Sequence, residues 1–198
     1  MNTLSACRVI ANARHDSIIV ATMGAMNAFD ELDLKQPRLS SVPLMGCAPH
    51  LGLGLAIANP GKKVIIVDGD ASLLMQLGGL VTVAAQQPSN FYHFVIHNGT
   101  QFTGLSNLSL PNAPHLDFPG FARSAGYAQT HSYSDADSFA ANIESILKST
   151  GPVLVDLQVE PKPSSLGPDS PQWDWQDLQF TRMGDEARRL AGWLEQHV

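Results

Sequence analysis

The stretch Val64-Ile65-Ile66-Val67-Asp68-Gly69-Asp70-Ala71-Ser72 and its continuation Phe94-Val95-Ile96-His97-Asn98-Gly99-Thr100 decide how this chain folds. An apolar β-branched run over 63–67 predicts a buried strand, and the Gly-Asp turn after it opens a helix. A second apolar run over 91–96 predicts another strand, ending on Asn-Gly. Strand, helix, strand in this order is the unit of a parallel sheet. Asp70 and Asn98 each fall just past the C-terminal end of a strand, the edge where open parallel sheets bind ligands. A carboxylate and an amide oxygen are hard ligands suited to Mg²⁺ or Ca²⁺, and magnesium held by so few protein groups usually completes its shell with phosphate. The helix start at Ala71-Ser72 aims backbone N–H groups at the same place, an anion site. Taken singly, Gly69-Asp70 and Asn98-Gly99 are also ordinary turn residues.

Outward from that stretch the pattern repeats. Residues 3–14 predict a helix with Leu4, Cys7, Ile10 and Ala11 on one face, and 17–22 a buried strand. A helix follows Met23-Gly24-Ala25-Met26-Asn27 to about Leu34; Gly24–Asn27 is either a second phosphate-facing turn or a plain strand-to-helix join. Residues 35–41 read as a polar connection. Ala48–Ala58 predicts a helix in which Gly52 and Gly54 permit close packing; inside a helix they form no dinucleotide fingerprint. Downstream of Asp70 a single helix is expected with Leu73, Leu77, Leu80, Val81 and Ala84 aligned. The loop from Asn98 to Pro114 is polar and long enough to be functional. His97 and His115 flank it and are candidate acid–base groups. The alternative, a structural or surface histidine, is also the reading for His50 and His93. A helix over 118–124, a strand over 125–130, a helix capped by Ser134 and burying Phe139, Ile143, Ile146 and Leu147, and a strand over 152–159 complete an α/β domain. Its sheet is mostly parallel, with helices on both faces. The expected division is a domain over 1–160, then over 161–198 a Pro-rich arm and an amphipathic helix carrying Met183, Ala187, Leu190 and Leu194, packing on the domain or on a partner. Trp173 and Trp175 on the approach to that helix read as partner surface or as sheet packing.

The 198 residues suit one domain, and 44% hydrophobic content suits a globular core. Net charge is −6 with no basic cluster, which argues against nucleic acid. Cys7 and Cys47 form no disulfide framework, fitting a reducing cytoplasm. Neither a signal peptide nor a membrane span is legible.

Gly69-Asp70-Ala71 followed twenty-eight positions later by Asn98 resembles the cofactor motif of thiamine-diphosphate-dependent enzymes, and Met45-Gly46 with Leu53-Gly54-Leu55-Ala56 resembles the segment ahead of it. The likeness is to the diphosphate-binding half of sulfopyruvate and phosphonopyruvate decarboxylases. Ala71 stands where Gly is usual, and His97 where Asp or Asn is common. The resemblance implies that Asp70, Asn98 and the carbonyl of Thr100 hold Mg²⁺. It implies that Pro43, Met45, Gly69, Asp70, Ala71, Ser72, Asn98, Thr100 and Gln101 contact thiamine diphosphate. In this picture Met45 wedges between the cofactor's two rings and the Pro43 carbonyl accepts from its amino group.

The implied activity is non-oxidative decarboxylation of a small 2-oxo acid. The activating glutamate of the family comes from a pyrimidine-binding domain, and Glu31, Glu144, Glu160, Glu186 and Glu195 sit in no such context. The expected assembly is therefore two kinds of chain, the partner bringing the glutamate, with self-association as well. A thiamine-dependent carboligase of the acetolactate-synthase kind and a non-catalytic cofactor-binding subunit are the alternatives.

Overall fold

The computed structural model describes residues 1–165 and 178–197. Its frame is set by strands whose side chains are apolar on both faces, the pattern of a sheet covered on each side. Strands β1 (Ile18–Ala21), β2 (Arg38–Ser40), β3 (Val64–Gly69), β4 (Phe91–His97), β7 (Gln129–Tyr133) and β8 (Val153–Gln158) form one parallel sheet in the order β2-β1-β3-β4-β8-β7. Two further strands, β5 (Thr100–Gln101) and β6 (Leu108–Ser109), pair as a short antiparallel ribbon beyond β4. The fold class is the one expected.

Alternate residues of each strand enter two separate cores. Ile65, Val67, Phe94, Ile96 and Val155 pack under α1 (Thr3–Ala13), α2 (Met23–Glu31) and α7 (Ala136–Lys148), against Ile10, Phe29, Phe139 and Ile143. Ile66, Phe91, Val95 and Leu154 pack under α3 (Ala48–Ala58), α5 (Gly79–Gln86), α6 (Phe118–Ala125) and α8 (Leu178–His197), against Leu53, Leu80, Phe118 and Leu190. Burying a Leu, Ile or Phe side chain in such a layer stabilises the fold by roughly 1.5–3 kcal/mol.

The strand order also fixes where a ligand can sit. After β1 the chain goes outward to β2, then returns across β1 to β3. The connections leaving β1 and β3 thus run in opposite directions along the sheet, which makes this edge a topological switch point. Thr22 lies at this edge, its N–H donating to the Val67 carbonyl at 3.0 Å.

Several elements differ from expectation for identifiable reasons. The helix after Asp70 is two pieces, α4 (Asp70–Met75) and α5, broken at Gln76, whose φ and ψ of −138° and 44° are not helical. Val81 accordingly lies exposed and not on the buried face. Residues 38–40 form a strand where a connection was expected; three residues carry too short a pattern to read. Strand β7 starts at Gln129, later than the apolar pattern placed it, because this outermost strand is only half covered and its residues are polar. The cap of α7 is Asp135, whose carboxylate accepts from the Ser138 N–H at 2.7 Å, and not Ser134. On α8 Leu190 is buried as expected, Ala187 is exposed, and Glu186 is buried in its place. Trp173 and Trp175 lie outside the described residues.

The two glycines of α3 do different things. A Cβ on Gly52 would lie 2.5 Å from Ile66 Cγ1 and 3.3 Å from Phe91 Cε2, whereas one on Gly54 meets nothing within 4 Å. Gly52 is therefore what lets α3 approach β3 and β4. Gly52→Ala is expected to destabilise the chain by about 1–3 kcal/mol through overpacking, and Gly54→Ala to stabilise it by roughly 0.5–1 kcal/mol through helix propensity. Urea denaturation of the two variants checks this; equal effects would remove the close-packing role of Gly52.

Candidate active site

Strand β3 delivers Asp70 and strand β4 delivers Asn98, in parallel register that sets Gly69 opposite Ile96. Asp70 is 1% exposed, yet its carboxylate accepts three backbone N–H groups and keeps a lone pair on Oδ1. Oδ2 accepts the N–H groups of Asn98 and Gly99 at 2.8 and 2.7 Å, and Oδ1 accepts from its own neighbour Ala71 at 2.7 Å. Burial raises the Asp70 pKa above the usual carboxylate value; the three N–H donors and the nearby His97 oppose that rise. Asn98 Oδ1 accepts from both the N–H and the hydroxyl of Thr100, at 2.9 and 2.7 Å. The oxygens of Asp70, Asn98 and Thr100 thus belong to one knot bridging the ends of two adjacent strands.

Among the described residues no three His, Cys, Asp or Glu side chains converge as a metal site. A cation here would rest on one carboxylate with amide and carbonyl oxygens, a donor set for a hard ion whose shell a phosphate completes. The space for such a group exists. A Cβ on Gly99, where φ is +72°, meets nothing within 4 Å, and one on Gly69 meets only Thr22 Oγ1 at 3.9 Å. The residues present fit a diphosphate with its cation. The helix start is a weaker anion site than the sequence implies, since α4 has only six residues and the Ala71 N–H is already occupied by Asp70.

Ser72 has a further use. Its buried hydroxyl accepts the Gly46 N–H at 2.9 Å, tying the Pro43–Gly46 segment to the motif. Gly46 has a φ of +79°, and a Cβ there would collide with Gln76 and approach the Ser72 carbonyl at 3.0 Å. Met45 beside it is 46% exposed, so it fills no core position. Pro43 lies two residues upstream on the same segment, and Gln101 is half-buried in ribbon strand β5.

Sequence reasoning missed the support behind Asn98. His97 Nδ1 lies 3.0 Å from Asp156 Oδ1, on β8, and Asp156 Oδ2 accepts from Ser132 on β7 at 3.2 Å. The His97 ring stands edge-on to Phe118 at 4.9 Å. Burial works against a charged His97, but the bond to Asp156 and the charges of Asp156 and Asp70 outweigh it, so its pKa is raised. An acid inside the apolar run Val153-Leu154-Val155-Asp156-Leu157 was the available signal. One layer deeper, His93 and Asp68 are fully buried, Nε2 and Oδ2 3.6 Å apart. His115 is exposed, and His50 packs against Gly79.

The family described as thiamine pyrophosphate enzyme, C-terminal TPP binding domain, matches residues 34–157. The chain belongs to this family. Phosphonopyruvate decarboxylase of Streptomyces viridochromogenes is 34% identical over 155 residues, 78% of this chain and 38% of that protein. Sulfopyruvate decarboxylase subunit beta of Methanothermobacter thermautotrophicus is 36% identical over 117 residues, 59% of each chain. The chain thus spans less than two thirds of the length of each of these relatives. The solved structure of a thiamine diphosphate-dependent 4-hydroxybenzoylformate decarboxylase from Rhodococcus jostii RHA1 superposes with a TM-score of 0.69 at 17% identity, covering 83% of this chain and 33% of that one, a likeness of fold. No described helix is long and apolar enough to cross a membrane.

Asp70→Ala is expected to weaken thiamine diphosphate binding in the presence of Mg²⁺ by about 10–100-fold, the equivalent of one lost charge-assisted contact. Calorimetric titration measures this; undiminished affinity would remove Asp70 from the site.

Proposed function

We propose that this chain is the diphosphate-binding subunit of a two-chain, thiamine-diphosphate- and Mg²⁺-dependent enzyme that decarboxylates a small 2-oxo acid without oxidation. The observation that carries the reading is the knot of Asp70, Asn98 and Thr100 oxygens beneath an open glycine-lined space at the C-terminal edge of the sheet. Family membership and the decarboxylase relatives support the cofactor and the reaction type.

When bound, the cofactor supplies the electron sink that loss of CO₂ from a 2-oxo acid requires. The protein's part is placement. Asp70, Asn98 and the Thr100 carbonyl would hold Mg²⁺, and Gly69, Ala71, Ser72 and Gln101 would line the diphosphate. The 43–46 segment would bring the Pro43 carbonyl and the Met45 side chain to the rings, Met45 acting through conformation.

The two-chain reading rests on what this chain offers elsewhere. Glu31, Glu144 and Glu195 lie on helices α2, α7 and α8. Glu160 is exposed, with its N–H bonded to the Met1 carbonyl, and Glu186 is engaged by arginines. None is free beside Asp70 to activate an aminopyrimidine. Meanwhile Leu44, Met45, Met75, Phe102, Leu105 and Leu108 are exposed on segments that leave the C-terminal ends of the strands. Apolar side chains gathered around a site call for a covering surface. A partner that brings a glutamate and covers this face fits both facts, as does the name of the relative called subunit beta. The cytoplasm suits such an enzyme.

Two assays test the reading. The purified chain with Mg²⁺ and thiamine diphosphate is expected to release no CO₂ from a panel of 2-oxo acids, and addition of the pyrimidine-binding partner to restore turnover. Robust turnover by the chain alone would overturn the two-chain arrangement. In the reconstituted enzyme, Met45→Ala is expected to lower kcat at least about tenfold while binding of diphosphate persists, a positioning loss. An unchanged rate would reduce Met45 to a surface residue.

A further inference from the structure

The C-terminal helix lies outside the residues that match the family, yet it reaches back to the segment entering the site. Strand β2 is outermost in the sheet, paired only with β1. The Ser41 N–H donates inward to the Ala21 carbonyl at 2.8 Å, so by strand alternation the Ser40 N–H points outward, away from the sheet. Glu186 of α8 takes that donor: its Oε2 lies 2.6 Å from Ser40 N, and the residue is only 3% exposed. A buried carboxylate survives only if its remaining charge is compensated. Here Arg182 Nε donates to Oε1 at 2.8 Å and Arg38 Nη2 lies 3.5 Å away. Both arginines are held in turn by Asp30 of α2, to which Arg182 Nη2 donates at 2.7 Å. The hydrogen bonds that Arg182 donates to Asp30 are the main reason the Arg182 pKa is raised.

This network sits at one end of a short bridge. Residue 40 leads directly into 41–46, and the other end of that segment is the Gly46 N–H bound to Ser72 Oγ. Inside the bridge the Ser41 hydroxyl and the Cys47 N–H both bond the Leu44 carbonyl, at 3.3 and 3.0 Å. Pro43 and Met45 therefore hang between Gly46, anchored on the motif helix, and an upstream end held on one side by the sheet, through Ser41 and Ala21, and on the other by α8, through Ser40 and Glu186.

We propose that Glu186 is a positioning residue: through its hydrogen bond to Ser40, the C-terminal helix fixes the upstream end of the 41–46 segment and so the placement of Pro43 and Met45 at the cofactor rings. The second half of that statement rests on the thiamine diphosphate reading; the first half stands on the geometry alone.

The test compares the full chain with Glu186→Ala, Glu186→Gln and Leu190→Ala. Leu190 is buried one turn further along the same helix and has no polar side-chain atom to join the network, so its truncation loosens α8 and keeps the carboxylate. Amide hydrogen exchange over 39–47 is expected to quicken about tenfold at Ser40 and its neighbours in Glu186→Ala, less in Glu186→Gln, and little in Leu190→Ala at a matched loss of stability. With Mg²⁺ present, Glu186→Ala should weaken thiamine diphosphate about tenfold and leave inorganic diphosphate unaffected, because the motif that would hold the diphosphate is untouched. Unchanged exchange at 39–47, equal quickening in Leu190→Ala, or undiminished thiamine diphosphate affinity would each overturn the proposal. If Glu186→Ala fails to fold, the same comparison is read on Glu186→Gln. A wild-type chain that binds no thiamine diphosphate even with its pyrimidine-binding partner added would instead overturn the functional reading, and the exchange comparison would still decide whether Glu186 fixes the segment.

Discussion

The carboxylate of Asp70 is the constraint on which the site depends. A nearly inaccessible charge must be fully solvated by protein dipoles, and here three backbone N–H groups supply that solvation. Two of the three come from the turn after β4. The same bonds that make the buried charge tolerable therefore clamp the ends of β3 and β4 together and fix the position of Asn98. The site is stiff because the electrostatics of one residue leave it no choice, not because the loop around it is rigid by itself.

Around that clamp the chain adds supports from distant parts of the sequence. Ser72 holds Gly46, and Asp156, itself held by Ser132, holds His97 directly before Asn98. The arm after β8 holds the loop beyond Thr100: the Lys162 carbonyl accepts from Asn107 at 2.8 Å and the Ser165 N–H donates to the Gly104 carbonyl at 3.1 Å. Each connects a residue near the C-terminal edge to a strand, helix or arm far along the chain. Precision at a binding edge comes from such cross-links, since strand ends alone fray.

What could be read from the amino acids divides along a physical line. The central strands, the alternation with helices and the pairing of Asp70 with Asn98 follow from continuous apolar runs and from short-range turn chemistry, both local. The break at Gln76 was hidden because Leu73, Leu77 and Leu80 keep helical spacing across it. Strands β2 and β7 were short or polar, so periodicity had nothing to register. The buried Glu186 was invisible for another reason: an acidic residue in a helix looks solvated until its partners are known, and Ser40 lies 146 positions away; Asp156 showed only as an acid inside an apolar run, with its partner His97 59 positions away. Met45 and Pro43 came from the resemblance; without it Met45 would read as a plain core methionine.

The two flanks of the sheet carry one more implication. A strand at the border of a parallel sheet offers unpaired backbone groups to any extended chain that meets it, the usual route to strand addition and fibre growth. On one border that route is blocked by a carboxylate already seated on the outward N–H of Ser40. On the other, β7 is short and presents Gln129-Thr130-His131-Ser132-Tyr133, a polar sequence poor at templating. Neither border invites zippering to a neighbour, so the sheet stays closed at six strands. Any assembly would be left to helix and loop surfaces, where side-chain shape and not backbone hydrogen bonding would select the companion, and where an exposed methionine or phenylalanine could contribute without the hazard of aggregation through the sheet.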